Sequence, residues 1–279
     1  MPFTIVCRRL FYEGCWPTIW KFHLVVPIFK KGAAFKAGNY RGVHLTTILS
    51  KIAEKLICAR LFPFLQKNAF GDNQWAFNTG LGCRDLVTML VMSWILAICT
   101  GKKVGGFLND ISGAFDRVNM LYMLGKLHCR GVGPQFLKFL ASYLAPRRGQ
   151  VIVQGARSDE FEIANSVYQG TVLGPCLWNS FFADVSVSAK STGGREAMFA
   201  DDLNVFREFD RLVPLPTVMS ILGICRTRMH SWGRTDRVTF DPGKKHLVVM
   251  HPSLGHGAAF RLLGCTMDTD LCMHSLSRI

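Results

Sequence analysis

The sequence predicts an α+β fold built around a largely antiparallel sheet. Short apolar runs of strand length and longer runs at helical spacing follow one another without regular βαβ alternation, which argues against a doubly wound parallel sheet. Hydrophobic residues make up 49% of the 279 and charged residues 19%, so a packed core is available and global disorder is excluded.

The elements follow in order. Trp20–Phe29 is an apolar, β-branched run that ends in a basic turn at Lys30-Lys31-Gly32, and Asn39-Tyr40-Arg41-Gly42 reads as a turn-like cluster holding one arginine. From Thr47 to Leu65, apolar residues recur at helical spacing, and Leu86–Cys99 reads as a second helix buried nearly all round. Val104–Leu108 is a short strand that stops at Asn109-Asp110, and helical signals resume over Asn119–Arg130. Gln150–Gln154 and Phe161–Ile163 read as two strands joined by a polar turn, followed by a helix over Leu177–Val187. Ala197–Ala200 and Leu203–Phe206 are two apolar runs broken by Asp201-Asp202, which predicts strand, turn and strand with paired acids at the turn. Val213–Trp232 is helical after its prolines, and His246–Met250 and Phe260–Leu263 close the fold as strands. Fixed-period repeats are not seen.

Lys and Arg total 33 against 19 Asp and Glu, a formal net charge of +14. That surplus favours a polyanionic partner, nucleic acid before membrane, because each basic contact to phosphate releases counterions. The ten cysteines form no C-x-x-C pair and read as buried free thiols of a reducing compartment. The uncharged stretch Leu86–Gly101 is shorter than the roughly 20 apolar residues that span a bilayer, and the start of the chain lacks a targeting pattern. The expectation is a soluble, intracellular chain with no membrane partner.

The acids carry the chemistry. Asp110 ends one apolar run and Asp201-Asp202 interrupt another. Burying an unpaired carboxylate costs several kcal/mol, so acids placed among strand-forming residues need compensation. One solution gathers them at strand ends around a divalent cation such as Mg²⁺, which takes oxygen ligands from one or two carboxylates and substrate phosphates. A pair of such ions serves in-line phosphoryl displacement. An exposed turn of acids is the alternative.

These motifs resemble a known family. Phe199-Ala-Asp-Asp202 is similar to the [FY]-A-D-D motif of reverse transcriptases of non-LTR (LINE-type) retrotransposons, and Asp110-Ile-Ser-Gly-Ala-Phe-Asp116 resembles their D-x-x-x-A-F-D motif. Gln169-Gly-Thr-Val-Leu-Gly-Pro175 is similar to the Q-G-[ST]-V-L-G-P motif between them. Asn39-Tyr-Arg-Gly42 resembles a fingers segment, Phe240-Asp-Pro-Gly-Lys244 the lysine-bearing motif, and Leu262-Leu-Gly-Cys265 the primer-grip segment. Six motifs in family order span nearly the whole chain. Where the family usually carries proline before the Gln-Gly pair, this chain has Tyr168.

The resemblance implies a right-hand polymerase fingers–palm core with an antiparallel palm sheet, flanking helices and a thumb largely absent. It divides the chain into partial fingers and the start of the palm over 1–103 and palm over 104–279. It implies RNA-directed DNA polymerisation from a primer 3′-hydroxyl, with an RNA template, a DNA primer and deoxynucleoside triphosphates as partners, and two Mg²⁺ ions as cofactors, Mn²⁺ being an alternative. Asp110, Asp201 and Asp202 would be catalytic, with Asp110, Asp201 and the Ile111 carbonyl as metal ligands. Lys30 and Arg41 would grip the triphosphate, Phe115 would lie beneath the incoming sugar, Gln169 and Gly170 beside the nascent base pair, and Lys244 would protonate the leaving pyrophosphate. Leu263 and Gly264 would form the primer grip, and Asp116 a structural hydrogen bond or salt bridge. A nuclear or cytoplasmic ribonucleoprotein is the expected setting. The competing expectation is a truncated, inactive element remnant that binds nucleic acid through its charge.

Overall fold

The computed structural model describes residues 2–71, 73–164, 167–241, 246–251, 259–269 and 271. The chain forms two compact units, Met1–Phe70 with Gly113–Phe182, and Gly71–Ser112 with Ala183–Ile279.

The first unit holds helices α1 (Pro2–Glu13), α2 (Ile48–Asn68), α4 (Met120–Cys129), α5 (Pro134–Leu144) and α6 (Leu173–Phe182), and strands β1 (Phe22–Phe29), β2 (Tyr40–Leu45), β4 (Arg147–Val153), β5 (Ala156–Arg157) and β6 (Phe161–Ile163). The sheet order is β2-β1-β4-β5, with β6 also on β4; β1 and β4 run parallel and the other pairs antiparallel. The Thr47 hydroxyl caps α2 by accepting from Ser50 N at 3.3 Å, and Asn119 caps α4 by accepting from Leu121 N and Tyr122 N. The segment read as a turn at Asn39–Gly42 is instead mostly strand: Tyr40 and Arg41 pair with Phe29 and Ile28. Gly42 is drawn into the pairing that β1 offers, while Asn39 ends a short 3-10 turn, Ala37–Asn39, before β2.

The second unit holds α3 (Cys83–Cys99), α7 (Val185–Lys190), α8 (Leu215–Thr235), a four-stranded antiparallel sheet in the order β7-β8-β3-β9, and the hairpin β10–β11. Their ranges are β3 Lys102–Asp110, β7 Arg195–Phe199, β8 Asp202–Asp210, β9 His246–Met250, β10 Phe260–Leu262 and β11 Cys265–Met267. Residue parity splits the sheet faces. Val104, Leu108, Phe206, Val248 and Met250 pack with Leu86, Leu90 and Trp94 of α3, while Phe209, Leu247 and Val249 pack with Val218 and Leu222 of α8. Gly105 permits the second contact, since a Cβ there would stand 2.9 Å from the Phe209 ring. Three expectations are corrected. Helix α3 buries one stripe rather than its whole surface, leaving Met92, Ile95 and Leu96 exposed. The helix read over Leu177–Val187 is two helices, α6 and α7. Among the described residues the cysteines are free, yet Cys15, Cys99, Cys129 and Cys265 are exposed.

Candidate active site

The acids meet at one end of the second unit's sheet. Strands β3 and β8 pair antiparallel from Lys102↔Asp210 to Asp110↔Asp202, so Asp110 and Asp202 stand directly opposite each other. Directly opposed residues lie about 4.5–5.5 Å apart at Cα with side chains on the same face. Asp201 occupies the two-residue turn between β7 and β8, with Ala200 at φ +55°. Main-chain bonds tie the corner together: Ile111 N–H donates to the Asp201 carbonyl at 3.2 Å, and Asp241 N–H donates to the Asp110 carbonyl at 2.8 Å. Ile111 also bridges antiparallel to Phe240. The Asn109 side chain accepts from Asp110 N–H at 2.8 Å. Asp110 is buried at 7% exposure, and Asp201 and Asp202 are half-buried.

The corner brings together main chain that carries hard oxygen donors: Asp110 and Asp202 face each other across the ladder, Asp201 lies in the turn and Ile111 follows β3. Among the described residues no cluster of three or more His, Cys, Asp or Glu side chains is arranged to enclose an ion. Hard oxygen donors are the kind that divalent ions such as Mg²⁺ take. Leu263 and Gly264 form the turn of the β10–β11 hairpin, with φ of +50° and +87°, and the Leu263 carbonyl accepts from the Cys83 thiol at 3.7 Å. Lys244 lies outside the described residues.

The other candidates lie in the first unit. Lys30 and Arg41 are exposed at the end of the β1–β2 ladder where the two strands are connected, and Lys30 N–H donates to the Asn39 carbonyl at 2.8 Å. Both act on Asp116: loss of hydration raises its carboxyl above the ordinary range, against the pull of Lys30, Arg117 and Arg41. Phe115 is half-buried and stacks on the fully buried Trp178, with ring centroids 5.7 Å apart and planes at 21°. Trp178 stacks in turn on Phe182.

Gln169 and Gly170 are held by β2. His44 N–H donates to the Gln169 carbonyl at 2.8 Å, and Gly170 sits at φ +98° where a Cβ would come within 2.7 Å of the His44 carbonyl. Beneath this turn lies a buried polar network that the sequence reading missed. An Arg147 guanidinium nitrogen stands 2.6 Å from His23 Nε2, and His23 Nδ1 stands 3.1 Å from His44 Nδ1. Arginine only donates, so His23 Nε2 accepts and its proton sits on Nδ1; His44 Nδ1 accepts in turn, leaving its own proton on Nε2. Both rings are therefore neutral. Burial, and then the charge of Arg147, lower His23 to about 3 and His44 to about 4. Arg147 also donates to the Tyr143 carbonyl and lies over the Tyr143 and Tyr168 rings. Glu54, fully buried, accepts from Val172 and Leu173 N–H at 2.5 and 3.1 Å and so caps α6. Burial raises its pKa, against those two bonds and Arg147. An isolated Arg or His in a strand carries no local signal that it will join such a network.

The antiparallel sheet with an acid pair at its hairpin end and helices around it defines the class, a polymerase fingers–palm core. The fold is shared with a structure of apo telomerase from Candida tropicalis truncated from its C-terminal domain, at a TM-score of 0.63 over 92% of this chain and 55% of that one; identity is 9%, so the likeness is of fold alone. The chain belongs to the reverse transcriptase (RNA-dependent DNA polymerase) family, which matches residues 28–267, and is of the non-LTR, LINE type. Its relatives include the RNA-directed DNA polymerase from mobile element jockey of Drosophila melanogaster, 33% identical over 280 residues, covering 92% of this chain and 30% of that protein. Another is the probable RNA-directed DNA polymerase from transposon X-element of the same organism, 30% identical over 206 residues, covering 72% of this chain and 23% of that protein. The chain thus spans under a third of the length of these relatives. No helix among the described residues is long and apolar enough to cross a membrane.

Proposed function

We propose that this chain is the catalytic core of an RNA-directed DNA polymerase that extends a primer 3′-hydroxyl on an RNA template with deoxynucleoside triphosphates. The observation that carries the reading is the pairing of Asp110 with Asp202 beside the Asp201 turn, on strands whose register runs unbroken from Lys102. Asp110, Asp201 and the Ile111 carbonyl would hold two Mg²⁺ ions, or Mn²⁺, with Asp202 completing the acidic corner. Bound there, such ions activate the attacking hydroxyl and neutralise charge on the triphosphate. Arg41 and Lys30 donate to triphosphate oxygens. Phe115 packs beneath the incoming sugar, Gln169 and Gly170 line the base pair, Lys244 protonates the departing pyrophosphate, and Leu263 and Gly264 grip the primer. The +14 charge supplies affinity for the template and primer. A nuclear or cytoplasmic ribonucleoprotein is the setting that the resemblance implies.

The test is primer extension by the purified chain on poly(rA) with oligo(dT), with and without Mg²⁺, beside Asp110→Asn. Mg²⁺-dependent incorporation that falls at least about a hundredfold in Asp110→Asn supports the reading. Tight template binding without incorporation by the unaltered chain would make it a nucleic-acid-binding remnant instead.

A further inference from the structure

Ala200 stands immediately before Asp201 in a left-handed conformation that a residue with a side chain leaves unless its surroundings hold it there. A buried amide grips it there. The segment 73–75 runs beside β7: Met198 N–H donates to the Asn73 carbonyl at 2.8 Å, Trp75 N–H donates to the Met198 carbonyl at 2.9 Å, and Gln74 bridges Met198 in parallel. Strand β7 ends at Phe199, and from there the Gln74 side chain, 3% exposed, continues the pairing. Its Oε1 accepts from Ala200 N–H at 3.1 Å, and its Nε2 donates to the Ala200 carbonyl at 3.3 Å. The same Oε1 accepts from Ala76 N–H at 3.1 Å, which fixes the side chain itself.

Both polar main-chain groups of Ala200 are thus gripped by a single carboxamide. The Ala200 carbonyl belongs to the peptide that ends in the Asp201 nitrogen, and the Asp201 carbonyl is held on its other side by Ile111 N–H. We propose that Gln74 is a positioning residue for the acidic turn: its carboxamide sets the main chain from which Asp201 presents its carboxylate at the Asp110–Asp202 corner. The chemistry asks for this residue type. The grip needs one acceptor and one donor on the same planar group, which glutamate, methionine and leucine lack. This inference rests on the metal-dependent polymerase reading, and adds to it a residue that touches neither substrate nor metal.

The experiment uses the whole chain with Gln74→Met, which removes both bonds at similar volume, and Gln74→Glu, which keeps the acceptor and loses the donor. Three quantities are read: hydrogen exchange at the Ala200 amide, the affinity for Mn²⁺ as a metal probe measured by electron paramagnetic resonance, and primer-extension kcat and KM. In Gln74→Met, exchange at Ala200 should rise at least tenfold. Mn²⁺ affinity should weaken at least fivefold, and kcat should fall at least tenfold with nucleotide KM and template affinity within about twofold. Gln74→Glu should keep Ala200 protected and fall between the two. Unchanged exchange in Gln74→Met overturns the grip. Raised exchange with unchanged Mn²⁺ affinity and kcat overturns the positioning role. If the unaltered chain does not polymerise, the polymerase reading fails separately, and the exchange and Mn²⁺ measurements still decide on Gln74.

Discussion

Phe115→Val separates a residue that shapes substrate choice from one that merely packs. Phe115 is the half-buried end of an aromatic run whose inner members, Trp178 and Phe182, are fully buried. Its ring edge also approaches Gly174, where a Cβ would stand 3.4 Å from Phe115 Cε1. Valine removes part of that ring, and with half of it out of water the loss is equivalent to about two buried carbons, or about 1.6 kcal/mol. The lost stack adds about 0.5–1.5 kcal/mol, so the substitution should destabilise the chain by about 2–3 kcal/mol whatever its role. Stability therefore does not discriminate, but selectivity does. If the ring packs beneath the incoming sugar, removing it opens room for a 2′-hydroxyl. The ratio of kcat/KM for ribonucleotides to that for deoxynucleotides should then rise at least about tenfold, equivalent to about 1.4 kcal/mol at the transition state. The assay is single-nucleotide extension on poly(rA) with oligo(dT), with thermal denaturation of the same preparation. A lowered melting temperature with the ratio within twofold of the unaltered chain would refute the sugar contact and leave Phe115 a packing residue.

Two further outcomes test the turn that carries Gln169 and Gly170. Gly170→Ala places a side chain at φ +98° and a Cβ 2.7 Å from the His44 carbonyl. The left-handed backbone costs an L-residue about 1–2 kcal/mol before any clash is counted. Urea denaturation should show at least that loss, and a change under about 0.5 kcal/mol would mean the turn is not held against β2. The neutral pair His23 and His44 should make stability fall in acid. Their folded pKa values, about 3 and about 4, lie below the unfolded 6.5. Their contribution is complete above 6.5 and is lost as pH falls towards the folded values, with a slope of up to about 2.7 kcal/mol per pH unit where both rings protonate only in the unfolded chain. Glu54, raised by burial, works in the opposite direction, since the folded chain keeps its proton to higher pH than the unfolded one. Denaturation free energies that stay flat between pH 6.5 and 4.5 would contradict the tautomer chain.

The acids were legible because the signal is local. An apolar run that stops at Asp110 and a pair of short apolar runs broken at Asp201-Asp202 are enough to read strand ends, and β3, β7 and β8 overlap the runs so read. That Asp110 faces Asp202 is a matter of register, which no local pattern states. Helices α1 and α5 escaped notice, although Gly133-Pro134 at the start of α5 is a helix-start signal with proline in the first turn. The break between α6 and α7 and the exposed side of α3 are decided by neighbours rather than by composition. Gln74 is the extreme case, since a single glutamine in a loop becomes informative only when the strand beside it ends at Phe199.

Tyr168 shows how a departure from the family pattern is absorbed. As read from the sequence, a tyrosine in place of proline removes a φ constraint and adds bulk beside a pocket. In the fold its ring is 2% exposed and turned into the first unit, edge-on to His23 and His44 and under the Arg147 guanidinium. The stiffness that a proline would supply by covalent geometry comes here from packing and from hydrogen bonds. Tyr168 is fixed by the rings and by Arg147, Gln169 by His44 N–H, and Thr171 by a hydroxyl bond to the Tyr168 carbonyl at 2.7 Å. Such a solution is more demanding than a proline, because a buried arginine without compensation is strongly destabilising and each member must keep its partner. Glu54, which feels the charge of Arg147 and caps α6, ties the helix that follows the turn to the same buried network as the ring that precedes it.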